Sequence, residues 1–160
     1  MKNLFTSLSS IALTVWVGGL LCIGYLAVPI LFRAQPDKQL AGKLAGEMFQ
    51  ALGFIGLVCG LILLSNVLWT KGQNNKQRRY TLWSIAAMLV LGSIIQFGIA
   101  PHMAELKLLA LPEDVMHSVY ADQFKALHGI SSIMYLLESL LGIYLVTKSM
   151  VTARAVDSQN

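Results

Sequence analysis

The segment FKALHGISSIMYLLESLLG, Phe124 to Gly142, is apolar enough to sit in lipid, yet it carries His128, Ser131, Ser132, Tyr135, Glu138 and Ser139. These residue types can move a proton, bind a cation or hydrogen-bond across helices. At about 100° per residue, all six fall with Gly142 in one sector of roughly 120°. The remainder of the turn is mostly Ile, Leu and Met. Such a polar stripe is expected to face the inside of a bundle. Glu138 is the costliest member. A bare carboxylate near the middle of a membrane span must pair, line a wet cavity or carry a proton. No Lys or Arg stands in the middle of any apolar block, so the protonated form is expected. Two readings follow: Glu138 exchanges its proton for a bound cation, or it only bonds a neighbouring carbonyl and the stripe is interhelical glue.

His102 and His128 are both expected near one end of adjacent spans. Two imidazoles at similar depth can ligate a metal ion or hold haem b axially. The alternative is a pair of interfacial histidines meeting water and headgroups. His117 has no evident role. Cys22 and Cys59 lack C-x-x-C spacing, so they read as small apolar residues rather than a disulfide or zinc site. There is no Ser-His-Asp, Cys-His or paired-carboxylate constellation, Walker loop or GxGxxG, so an enzyme is not the expected class.

The elements that must position these groups follow from composition. The 160 residues are 56% hydrophobic and 12% charged, with mean hydropathy +0.64. The apolar residues form four blocks, about 4–32, 48–70, 80–103 and 124–150, each reaching the ~20 residues a membrane helix needs. Lipid forces the backbone to satisfy itself, so the blocks are helices. The expected fold is all-α: one domain over 1–160, a four-transmembrane-helix bundle with a short interfacial helix after the first span. That helix starts at Pro36–Asp37 and either lies on the membrane or leads into the second span. The first block continues past the length of a signal peptide and is read as a retained helix. Gly18, Gly19, Gly53, Gly56 and Gly60 are packing residues. Arg33, Pro36 and Pro101 mark the interface, with Pro101 closing the third span.

The Lys71–Tyr80 connection holds Lys71, Lys76, Arg78 and Arg79 and no acid. The positive-inside rule places it, and both termini, in the cytoplasm. The net charge of +4 thus reflects topology, and nucleic acid is not an expected partner. The expected setting is a bacterial-type inner membrane, with lipid, other membrane subunits or a second copy as neighbours.

The blocks VPILFRAQPDKQLAGKLAGEMF, GIAPHMAEL and FKALHGISS together resemble the family of transmembrane protein 205, also known as domain of unknown function 4149. Its LF-R-x-x-P signature matches at Leu31, Phe32, Arg33 and Pro36. Pro101 matches the proline of the third span, and His128, Gly129, Ser131 and Ser132 match HG-x-SS. At positions 102 and 135 the family often carries Arg and Asn, where this chain has His102 and Tyr135. The resemblance implies a small four-span membrane protein; the animal member is linked to resistance to platinum drugs. VWVGG, Val15–Gly19, is similar to the first span of copper-resistance D proteins and of the protoporphyrinogen oxidase membrane family, without the histidine that usually precedes it there. Three functions remain open: handling or transport of a metal, metal complex or small solute; a haem-binding redox protein; or an accessory subunit of a larger membrane complex.

Overall fold

A computed structural model describes residues 2–69 and 75–157; part of the basic connection, 70–74, and the last three residues lie outside them. Among the described residues every regular element is helical. The first span is α1 (Lys2–Cys22), a π-helical turn (Ile23–Ala27) and α2 (Val28–Ala34). The second is the single helix α3 (Lys38–Trp69). The third is α4 (Asn75–Ser93), a second π-helical turn (Ile94–Ile99) and α5 (Ala100–Leu109). A 3₁₀ turn at Val115–His117 leads to the fourth span, α6 (Ala121–Asp157). Four stretches, Ser7–Ala34, Lys38–Trp69, Asn75–Leu109 and Ala121–Val151, are long and apolar enough to cross a membrane. The chain is a multi-pass, four-helix membrane bundle.

Consecutive spans are antiparallel and close into a ring: α1 packs on α3, α3 on α4, α4 on α6 and α6 on α1. Lipid offers no hydrophobic force to hold helices together, so close packing and interhelical hydrogen bonds must do it. Ala12, Trp16, Leu20, Leu52, Cys59, Leu63, Ile85, Met88 and Leu145 form the buried centre. Large apolar side chains such as Ile11, Val58, Phe97 and Ile133 cover the outside, as a lipid-facing surface requires.

Polar groups seal the ends. At the end holding the basic connection, Arg78 donates to the carbonyls of Val67 (3.0 Å) and Leu68 (3.1 Å), the last turn of α3. Lys148 donates to the Gln77 carbonyl and the Thr81 hydroxyl, both at 3.1 Å. At the opposite end, Asp37 Oδ1 accepts from the backbone N–H of Gln39 (2.9 Å) and Leu40 (3.1 Å), capping α3. Lys38 Nζ meets the carbonyls of Phe32 (2.6 Å) and Gln35 (3.1 Å) where α2 stops.

Two boundaries differ from those the sequence suggests. Residues 38–47 form no separate interfacial helix; they are the first turns of α3, which runs 32 residues without a break. Gly42 does not break it, because Lys107 donates to the Gly42 carbonyl at 3.0 Å and holds that turn against α5. The third span also passes through Pro101 and ends only at Leu109. A proline removes one N–H and crowds the carbonyl four residues back. The wider π turn just before it, where Ala100 N–H bonds to Ile95 O, absorbs that strain without ending the helix. The first span repeats the device: Val28 N–H bonds to Ile23 O just ahead of Pro29.

Candidate functional site

Trp16 stands on the inward face of α1 and is almost wholly buried. It fits because α3 presents Gly56 and Gly60. A methyl at Gly56 would lie 2.5 Å from the indole nitrogen, and one at Gly60 2.9 Å from the far edge of the ring. The ring therefore lies in a hollow that only glycine leaves open. From the other side α6 brings Glu138, which is 5% exposed. The indole N–H donates a hydrogen bond to the Glu138 carboxyl. On α4, Gly92 lets that carboxyl approach: a methyl there would be 3.4 Å from Oε1. Ser139, 2% exposed, donates to the Tyr135 carbonyl at 2.9 Å. Below the carboxyl, Gly142 leaves room for Val17 and Met88.

One turn toward the opposite end, Tyr135 reaches across to the first span. Its hydroxyl donates to the Leu20 carbonyl at 2.7 Å and is also hydrogen-bonded by the Gly24 backbone. In an α-helix those two backbone groups would bond each other. The phenol is inserted into that link, at the point where the π turn begins, and this is a recognised cause of helix distortion. Gly24 is required, because a side chain there would overlap the Tyr135 ring. Phe49 meets the same ring edge-on at 5.2 Å and Tyr25 lies at 6.1 Å. Gln96, 7% exposed in the second π turn, donates to the Gln50 carbonyl at 3.2 Å, with its amide oxygen against Gly53. The site is thus a line of polar and aromatic groups from mid-bundle toward the opposite end, each satisfied by a neighbour. Among the described residues no buried side-chain nitrogen or oxygen lacks a partner.

The stripe read from the sequence divides in the structure. Tyr135, Glu138 and Ser139 face the interior, whereas His128 and Ser132 are exposed and Ser131 is only half-buried. The Ser131 and Ser132 hydroxyls bond back to the His128 carbonyl at 2.9 and 2.7 Å, so neither needs the bundle interior. The His128 ring stacks on Phe124 at 6.1 Å. His102 is exposed on α5. No group of three or more His, Cys, Asp or Glu residues converges among the described residues.

The packing glycines divide too. Gly19, Gly53, Gly56 and Gly60 each receive a neighbouring side chain, while Gly18 has nothing within 4 Å. Arg33, Pro36 and Pro101 are exposed toward the opposite end. Sequence reasoning missed Trp16 and Gln96. The signal for Gln96 was present, since an amide in mid-span needs a partner. Nothing in the sequence separated Trp16 from its apolar surroundings.

The profile described as Domain of unknown function (DUF4149) matches residues 11–111. The chain belongs to that family. The DUF4149 match covers the first three spans, including Trp16, Gly56, Gly92 and Gln96, and stops short of the fourth, so Tyr135, Glu138 and Ser139 lie beyond it. No curated protein and no solved structure matches the chain.

Proposed function

We propose that this protein carries a cation or small cationic solute across its membrane, with Glu138 as the group that exchanges its proton for that cation. The supporting observation is the buried carboxyl itself: 5% exposed, in mid-span, with a neutral indole as hydrogen-bond partner. The chain's Lys and Arg residues lie toward the span ends or in the connections, so a charged Glu138 has no fixed counter-ion at its depth. A proton removes that cost; an arriving cation removes it equally and frees the proton. The likeness of the quoted blocks to the transmembrane protein 205 family is in keeping with solute handling.

The test is a cell strain whose tolerance to metal or organic-cation stress depends on this protein. Glu138→Gln keeps the hydrogen-bonding shape but cannot carry a charge. It is expected to accumulate as a folded protein and lose the protective effect. Full protection by E138Q rejects the carrier reading and leaves Glu138 as interhelical packing.

On this reading the setting is a bacterial-type inner membrane, with both termini and the basic end in the cytoplasm. Lys76, Arg78, Arg79 and Lys148 gather at that end without an acid among them, whereas Arg33, Lys38, Lys43, Lys107 and Lys125 at the other are interspersed with Asp37, Glu47, Glu105, Glu113, Asp114 and Asp122. In a variant lacking Cys22 and Cys59, Lys76→Cys should resist a membrane-impermeant thiol reagent in intact cells, and Glu113→Cys should react. The reverse pattern would invert the topology.

A further inference from the structure

The connection between α5 and α6 leaves five large apolar side chains exposed: Leu108, Leu109, Leu111, Met116 and Val119, the last by 92%. It is not a loose loop. Leu106, Ala110 and Val115 form a small core there, with Tyr120, Phe124 and Leu127 packed against it. Leu111 N–H donates to the Leu108 carbonyl at 3.3 Å and Glu113 N–H to that of Ala110 at 3.0 Å. Asp114 Oδ1 accepts from Met116 N–H at 2.8 Å, and the Ser118 hydroxyl from Tyr120 N–H at 3.2 Å. A folded connection thus holds these side chains out, and they cannot hide from water by collapse.

We infer that the connection is a lipid-binding surface, lying in the boundary between headgroups and acyl chains with its exposed Leu, Met and Val side chains among the lipids. Length argues first. Trp69, Tyr80 and Trp83, all exposed, mark the headgroup level at the basic end. At roughly 1.5 Å per residue, the third span from Tyr80 to Leu108 is about 40 Å long. That is close to the ~40–45 Å of a bilayer with its headgroups, so Leu108 reaches the opposite headgroup layer rather than open water. Glu105, exposed one turn nearer the centre, sets the limit on the other side. A carboxylate belongs among headgroups, so the leucines beyond it lie at the boundary and not deep in the hydrocarbon.

Continuity argues second. Val90, Ile94 and Phe97 are exposed on the lipid-facing outside of the same span, and the span runs helical from them to Leu108 and Leu109. Composition argues third. Protein interfaces centre on Trp, Tyr and Arg, with Leu and Val under-represented; here the exposed set is Leu, Met and Val. The carboxyls of Glu113 and Asp122 nearby offer nothing to anionic headgroups, so the surface suits a zwitterionic phospholipid.

The experiment uses the full chain without Cys22 and Cys59, in phosphatidylcholine nanodiscs, spin-labelled at one cysteine: Leu111→Cys, Val119→Cys, Glu113→Cys or, as the lipid reference, Val58→Cys. Electron paramagnetic resonance reads collisions of each label with oxygen, which concentrates in lipid, and with a water-soluble nickel chelate. Labels at 111 and 119 are expected to favour oxygen, as at 58, and to lie about 5–10 Å into the boundary; the label at 113 is expected to favour nickel. Positions 111 and 119 report independently, so if one variant fails to fold the other decides. An oxygen-to-nickel ratio at either position equal to that at 113 puts the connection in water and overturns the proposal. Shielding of either from both reagents overturns it as well, and assigns the surface to a second copy or another protein.

Discussion

Toward the basic end the four spans close on Ala12, Leu63, Ile85, Met88 and Leu145, an interior of aliphatic side chains and thioether. Toward the opposite end they close on Glu138, Tyr135 and Gln96, with two π-helical turns, two prolines and a phenol inserted into a helix. The halves differ at their centres. In the first, dispersion contacts fill the centre, where they are lost wholesale when a side chain is cut back, and hydrogen bonds between spans, Asn66 to Ser9 and Lys148 to Thr81, lie around it. The second rests on a few interhelical hydrogen bonds, which membrane bundles value at about 0.6 kcal/mol each on average. On the carrier reading, the polar half with its two π-helical turns is the half that rearranges.

Substitutions in the two halves should differ in their effect. Met88→Ala should have the largest effect, because Met88 is 0% exposed at the centre of the apolar half. With no hydrophobic transfer term between membrane helices, the packing and cavity part alone, about 2–3 kcal/mol, is expected in thermal unfolding in detergent. Gly53→Val, which drives a side chain into Gln96, should cost about 1–3 kcal/mol. Tyr135→Phe keeps the ring and removes only the hydroxyl between Leu20 and Gly24. It should cost about 1 kcal/mol and let Gly24 N–H bond the Leu20 carbonyl, seen as slowed hydrogen exchange at Gly24. Gly18→Ala should change stability by less than about 0.5 kcal/mol, because nothing lies within 4 Å of the added methyl. If Tyr135→Phe destabilises more than Met88→Ala, the two halves are not held as described.

Much of this was legible in the sequence. The four apolar blocks and the basic connection follow from hydropathy and charge alone, and the helical period put Glu138 and Tyr135 on one face. That same period could not say how wide the buried face is. His128 and Ser132 share the sector but are exposed, while Phe124 and Leu127 pack on Leu106 and Val115, and the serines satisfy themselves on their own backbone. Pro101 reads as a span end, because sequence gives no sign of the π turns that carry the first and third spans past Pro29 and Pro101. Trp16 was invisible as a site residue, since its role comes from two glycines on another span and a carboxyl on a third.

On the carrier reading Glu138 holds a proton and surrenders it to an arriving cation. Infrared difference spectroscopy of the protein in nanodiscs, recorded on adding ethidium or zinc with E138Q as the control, reads this at the carboxyl itself. Loss of a protonated-carboxyl C=O band and gain of carboxylate bands are expected in the wild type, both missing from E138Q. A wild-type carboxyl signal unchanged by saturating ethidium and by zinc would contradict it.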